Sequence, residues 1–246
     1  MRKPKVKEMA ALEGMRKEFE NVDYPEKCVP NSLFALDDYT YVKFLKAREF
    51  SVEKAKKLLH DHVAYRYKLR PSDLTLSSPG VTQEALLMGV TRKGNPILFF
   101  RASTHDPSSY TVDHYVASRI FEIELARKEL AKRSWETDRF AMMVDVSGYR
   151  LTKHSTPHAL NLTKHMVGIL QGLYRDTLEM HIILNAPAIF HGLWHVIKRW
   201  LKPDTAKRVL FINDVARLTE IIHPDETYQE LLVLSTLVER TEPTKH

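Results

Sequence analysis

Glycine is scarce in this chain, 8 residues in 246, and cysteine occurs once. The few glycines form no GxGxxG, GxxxxGKS/T or GxSxG fingerprint, so dinucleotide, P-loop and nucleophile-elbow chemistry lack local support. HExxH is missing too, which leaves zincin chemistry without its helix. Cys28 stands alone, so no disulfide closes within the chain, and a reducing compartment suits it. The residues after it, VPNSLF, hold no arginine at the spacing a cysteine phosphatase needs. No apolar run reaches the ~18 residues of a membrane-spanning helix. The opening MRKPKVKEMAALEGMRKEFE lacks the apolar centre of a secretory signal. The expected location is the cytoplasm.

What is present is 43% hydrophobic and 28% charged residues, the composition of an ordinary globular protein with a sizeable core. At this length one main domain with a small helical lobe is expected. A net charge of +6 and a pI near 9.2 favour anionic partners: nucleic-acid phosphate, a phospholipid headgroup or an anionic membrane surface. Solubility alone is the plainer reading of that charge. The 12 histidines invite a metal, and His191 and His195 at i and i+4 share a helix face. No third ligand is placed near them by the pattern, so two solvated histidines are the better reading and no metal is expected.

Two regions differ in periodicity. Residues 1–77 carry apolar positions at helical spacing, as in Leu12, Met15, Phe19 and Val22. Asp37 and Asp38 can cap a helix through Tyr39, Val42 and Leu45, and Ser51 can cap the next, with Val52, Ala55, Leu59 and Val63 facing inward. PSDLTLSSPG (71–80) reads as a linker, which sets a boundary near Ser78. Beyond it NPILFFR (95–101), RFAMMVDVS (139–147), MHIILNA (180–186) and RVLFIN (208–213) are short apolar runs of the kind that fills strands buried on both faces. Helical segments over 111–134, 157–174 and 188–201 separate them. Strand and helix taking turns predict an α/β fold with a mainly parallel sheet and crossover helices. Asp145 ends a strand, where such folds keep functional groups, but a lone carboxylate there is at least as often a loop cap.

The segment 188–201 holds two of the three tryptophans. Wound at 100° per residue, Ile189, Phe190, Leu193, Trp194, Val196, Ile197, Trp200 and Leu201 cover an arc of about 160°, with His191, His195, Lys198, Arg199 and Lys202 on the remainder. A core-facing crossover helix, a helix lying on a membrane and a lid over an apolar cavity all fit this pattern. The first is the commonest, while tryptophan beside lysine and arginine adds weight to a membrane surface.

Two separated stretches carry a family resemblance. YVKFLKAREFSVEKAKKLLHDHVAYR (41–66) resembles the N-terminal helical module of CRAL-TRIO lipid-binding proteins. MHIILNAPAIFHGLWHVIKRWLKPDTAKRV (180–209) resembles that family's strand, helix and strand, and DRFAMMVDVSGY (138–149) fits its central strand more loosely. Together they cover most of 35–215. Within the family the chain is similar to the phosphatidylinositol and phosphatidylcholine transfer proteins of the secretory pathway.

The resemblance implies a helical lobe over 1–77 and an α/β domain over 78–246 whose sheet floors a deep apolar pocket for one lipid. It makes 188–201 a gate, through Ile189, Phe190, Leu193, Trp194, Ile197, Trp200 and Leu201. For the headgroup it points to Arg48, Asp176, Thr205, Lys207 and Arg208. Glu49 stands where the family has lysine, Asp176 replaces a glutamate, and Arg208 falls in register with the family lysine. An ion pair with Asp37, Asp38 or Glu49 is the structural alternative for Arg48. The family's glycine-bearing signature after the last strand is absent from HPDETYQELLVLSTLVERTEP. The implied protein is a monomer that catalyses no covalent change and uses no cofactor. It carries a phospholipid such as phosphatidylinositol or phosphatidylcholine, touches membranes peripherally and binds no nucleic acid. A carrier of a sterol, tocopherol-like or retinoid-like ligand is the alternative within the fold; a basic nucleic-acid or protein-interaction module is the alternative outside it.

Overall fold

The computed structural model describes residues 6–22, 36–70, 73–131, 139–172, 174 and 177–223. The chain divides into two compact units, Met1–Leu74 and Thr75–His246, so the division falls inside the PSDLTLSSPG stretch. The segment 224–246, which holds the departure from the family's C-terminal signature, lies outside the described residues.

The first unit contains α1 (Val6–Phe19), α2 (Asp38–Lys46) and α3 (Val52–Leu69). Residues four apart on α1, Ala11, Met15 and Phe19, are buried, and Leu12 is only half-buried beside them. Asp37 caps α2 by accepting the Thr40 N–H at 2.9 Å. Ser51 holds the N-cap position of α3 without a capping bond from its hydroxyl, while Ala55, Leu59 and Val63 turn inward. Between α2 and α3 Glu49 and Phe50 both take left-handed backbone, φ 53° and 60°. The Phe50 N–H returns to the Leu45 carbonyl at 2.8 Å and closes the turn.

In the second unit β1 (Leu86–Val90), β2 (Pro96–Arg101), β3 (Phe140–Asp145), β4 (Leu178–Leu184) and β5 (Val209–Ile212) lie side by side in that order. β1 pairs antiparallel with β2 and every later pair is parallel. The sequence reading missed β1 because LLMGV carries a glycine and exposed Leu86 and Leu87, with no alternation to mark it. Between the parallel strands run α4 (Val112–Ala131), then α5 (Leu151–His154) and α6 (Pro157–Gly172), then α7 (Ala188–Lys198) and α8 (Pro203–Ala206), with α9 (Val215–Thr219) after β5.

Side chains alternate across the strands with period two. Ile97, Phe99, Ala141, Met143, Ile182, Leu184 and Ile212 pack with Leu218 and Ile222 into one closed layer. Their neighbours Leu98, Phe100, Met142, Val144, Ile183 and Val209 face the other way and line a cavity. An irregularity in the β3–β4 register between Phe140 and Met142 gives β4 one extra residue. Leu178 and His181, an odd number apart, therefore both reach the cavity.

Candidate functional site

The cavity measures about 380 Å³. The sheet forms its floor, α4 and α6 contribute Ile123, Leu160, Met166 and Leu170, and α7 contributes Phe190, Leu193, Trp194 and Ile197. The launch of α7 follows from the Asn-Ala-Pro stretch. Asn185 takes φ 54°, a left-handed conformation that asparagine tolerates better than most residues, and so ends β4. Its side-chain amide donates to Asp145 at 3.0 Å, and the Ala186 N–H donates to Asn213 Oδ1 at 3.1 Å. Pro187 then sits at the N-cap of α7. Asp145 accepts the Ser147 N–H at 2.9 Å as well, so this buried carboxylate ties two loop ends together as a cap. Gly148 follows with φ 73°, where a Cβ would stand 3.1 Å from Ser103 Cβ, which explains the glycine in the SGY turn.

α7 is anchored at its start. Phe190 is buried edge-on against Tyr149 at 5.3 Å, and Trp194 meets Phe211 of β5 at 5.5 Å. The helix stops at Lys198, earlier than the expected span of 188–201, and Trp200 and Leu201 lie in the turn beyond it. Pro203 opens α8, and Lys202 before it is extended, ψ 149°, because a residue preceding proline is pushed out of helical backbone. Gln171 at the end of α6 holds this turn: its amide donates to the Trp200 carbonyl at 2.8 Å and accepts the Lys202 N–H at 2.6 Å. Of the expected gate residues, Phe190, Leu193, Trp194, Ile197 and Leu201 line the cavity. Ile189, 53% exposed, faces solvent on the outer flank with Val196, 42% exposed, and Trp200 is half-buried without lining the cavity. The apolar arc thus serves two surfaces.

The expected headgroup residues separate in the same way. Thr205 and Arg208 line the cavity, and Arg208 Nη1 donates to the Leu178 carbonyl at 2.6 Å. Lys207 points outward, exposed, with its ammonium 3.5 Å from Asp204. Arg48 belongs to the first unit, where its Nη1 donates to the Ala47 carbonyl at 3.1 Å. It makes no ion pair with Asp37, Asp38 or Glu49 among the described residues; Asp38 pairs instead with Arg16 at 2.5 Å. Asp176 lies outside the described residues.

Several cavity residues gave no signal in the sequence. Arg119 on α4 is buried at the cavity wall, bonded to Glu84 and Glu122 at 2.9 Å each, and lies over the rings of Phe100 and Tyr115. Burial raises the Glu122 carboxyl above its ordinary range despite Arg119. Burial also acts upward on Glu84, but the His105 hydrogen bond and the Arg119 charge outweigh it and hold that carboxylate low. Glu122 also accepts the Glu84 and Ala85 N–H groups at 2.6 and 2.7 Å, pinning the entry to β1 onto α4. His181 on β4 is the other polar group of the floor, and burial pushes its imidazole down to about 4.

Among the described residues the α/β sheet has one closed face and one face left hollow beneath an amphipathic helix, the architecture of a protein with an interior cavity. The chain belongs to the CRAL/TRIO domain family, whose model matches residues 82–231, and the CRAL/TRIO N-terminal domain matches residues 11–61. It is 23% identical over 209 residues to phosphatidylinositol transfer protein CSR1 of Eremothecium gossypii, covering 79% of this chain and 46% of that protein. It is 28% identical over 197 residues to an alpha-tocopherol transfer protein-like protein of Mus musculus, covering 76% and 55%. The human protein of that description is 25% identical over 195 residues, with the same 76% and 55% coverage. The chain thus spans about half the length of the curated relatives it matches. The crystal structure of Sfh5 superposes with a TM-score of 0.73 at 16% identity, over 96% of this chain and 99% of that one, which establishes the shared fold. Among the described residues no helix is long and apolar enough to cross a membrane.

Proposed function

We propose that the protein holds one phospholipid, of the phosphatidylinositol or phosphatidylcholine kind, beneath α7 and transfers it between membranes without covalent change. The observation that carries this reading is the hollow face of the sheet, an apolar cavity with Thr205 and Arg208 at its rim. A guanidinium and a hydroxyl suit a phosphate, and the floor suits acyl chains. The relatives named for phosphatidylinositol and tocopherol transfer support a lipid cargo.

Physics fixes where exchange happens. Each methylene leaving an apolar site for water costs about 0.8 kcal/mol, so release of a chain-bearing lipid into solution is prohibitive. Exchange occurs at a membrane, with α7 as the moving part: its inner face covers the cargo, while Ile189 and Val196 on the outer flank, beside Lys198 and Arg199, meet the bilayer. The protein works from the cytoplasm as a monomer in peripheral, transient contact with membranes, and needs no cofactor. Asp176 joins Thr205 and Arg208 in the headgroup set by resemblance alone.

A compact neutral cargo of the tocopherol, sterol or retinoid kind is the second reading, favoured by a cavity volume of about 380 Å³. That lies toward the lower end of the range of about 300–1,000 Å³ for ligand pockets. Two acyl chains require α7 to ride outward. Native mass spectrometry of the purified protein, followed by organic extraction, separates the readings by the mass recovered. A protein that carries no lipid and takes none from vesicles overturns both. In vesicle transfer, Arg208→Ala should slow phosphatidylinositol more than phosphatidylcholine; equal slowing would make Arg208 scaffold.

A further inference from the structure

β4 presents Leu178, His181 and Ile183 to the cavity. His181 lies between Met142 of β3 and Val209 of β5 in register, so its ring stands in an apolar row. Its Nε2 is buried and meets no hydrogen-bond partner among the described residues. A polar atom left unpaired in such a place costs about 1–3 kcal/mol, and a turn of the ring about χ2 toward the cavity that His181 lines lets a group delivered by the cargo recover that loss. Burial keeps the ring neutral, and a neutral imidazole has one N–H to give and no charge to attract an anion. With the proton on that nitrogen, the partner that fits is an uncharged acceptor oxygen.

The position narrows the choice, on the phospholipid reading given above. The His181 N–H of the backbone donates to the Arg208 carbonyl at 2.9 Å, while the Arg208 side chain runs back to the Leu178 carbonyl. Leu178 is three residues from His181, about 10 Å along the strand. A phosphate held at Arg208 therefore leaves the glycerol esters over His181 and the chains farther along the strands over Ile183 and Val144. We propose that the His181 ring donates its N–H to an acyl-ester carbonyl of the bound lipid and so sets the depth at which the cargo seats. The ring is a reader of the ester linkage, separate from headgroup recognition at the rim.

The test is uptake of two phosphatidylcholines of equal chain length, one diacyl and one dialkyl ether, by wild type, His181→Phe and His181→Gln. Wild type should prefer the diacyl lipid about tenfold, the worth of one well-made buried hydrogen bond. His181→Phe should take up both lipids equally, its uptake of the ether showing that it is folded, and His181→Gln, which keeps an N–H, should retain part of the preference. In the ring nitrogen spectrum of wild type, the diacyl lipid should shift the His181 donor and the ether should not. Equal uptake of both lipids by wild type overturns the inference, as does a tenfold preference that survives in His181→Phe. If wild type takes up neither lipid, the phospholipid reading itself fails and carries this one with it.

Discussion

The two faces of the sheet are made by the same strands, one residue out of step, and they end in opposite states. Met143 is fully buried in the layer beneath α9's Leu218, and its neighbour Met142 is half-exposed to the cavity. The closed face shows what a parallel sheet does when its partner element packs flush: its side chains are buried together in one layer. The hollow face carries the same apolar chemistry around a cavity. The difference between them lies in what covers each side, so the covering elements are where function resides.

The largest expected effect sets the two methionines against each other. Met143→Ala should lower stability by about 2–5 kcal/mol, as deletions in a filled core do, seen as a fall in the denaturation midpoint. Met142→Ala borders space that is already open and should cost no more than about 1 kcal/mol, while changing lipid uptake. Equal costs would erase the distinction between the faces.

The next effect concerns the one imidazole on the β4 part of the hollow floor. His181 titrates near 6.5 in the unfolded chain and is pushed down to about 4 by burial in the folded one. Between those values the unfolded chain holds more protons, so the stability associated with the neutral ring is complete above about pH 6.5 and is lost as pH falls toward 4. The whole loss amounts to at most about 3 kcal/mol. Denaturation of wild type and His181→Phe at pH 7 and pH 4.5 should show a smaller acid loss in the variant; parallel losses would mean that the ring is solvated.

The smallest effect sharpens the comparison at its cover. Phe190 fixes the start of α7 by ring packing, and Gln171 fixes the turn after it by two hydrogen bonds to backbone. Gln171→Ala should cost about 1 kcal/mol and speed vesicle-to-vesicle transfer by about fivefold, because the latch is lost and the roof is not. An unchanged transfer rate would place the moving part elsewhere than the α7 exit.

Much of this was legible along the chain. The runs around Ile97, Met143, Ile183 and Val209 are strands, the Asp37 cap holds, and the expected helix over the hollow face is present from Ala188 to Lys198, three residues short of its expected end. Other features were hidden for physical reasons. Strands buried on both sides are apolar at every position, so the pair Met142–Met143 gives no hint of which side is open. β1 is an edge strand with exposed leucines and a glycine, and its pattern matches a loop. Pro203 was readable as a stop, since it pushes Lys202 out of helical backbone, but α7 ends four residues earlier at Lys198, and the turn that holds Trp200 lies between them. Arg119 and His181 look like ordinary helix and strand residues until the cavity is seen beside them.

The sequence by itself determined the order of the four parallel strands and the helices between them, the two-sided apolar character of the sheet and the segregation of α7 into apolar and basic faces, because these follow from local periodicity. Only the tertiary structure decided that one face is hollow, that Arg208 turns to the cavity while Lys207 turns to water, and that the His181 Nε2 has no partner among the described residues. Those outcomes depend on how far α6 and α7 stand from the floor, a distance set by Phe190, Phe211 and Gln171 acting between elements far apart in the chain, and no local pattern of residues encodes it.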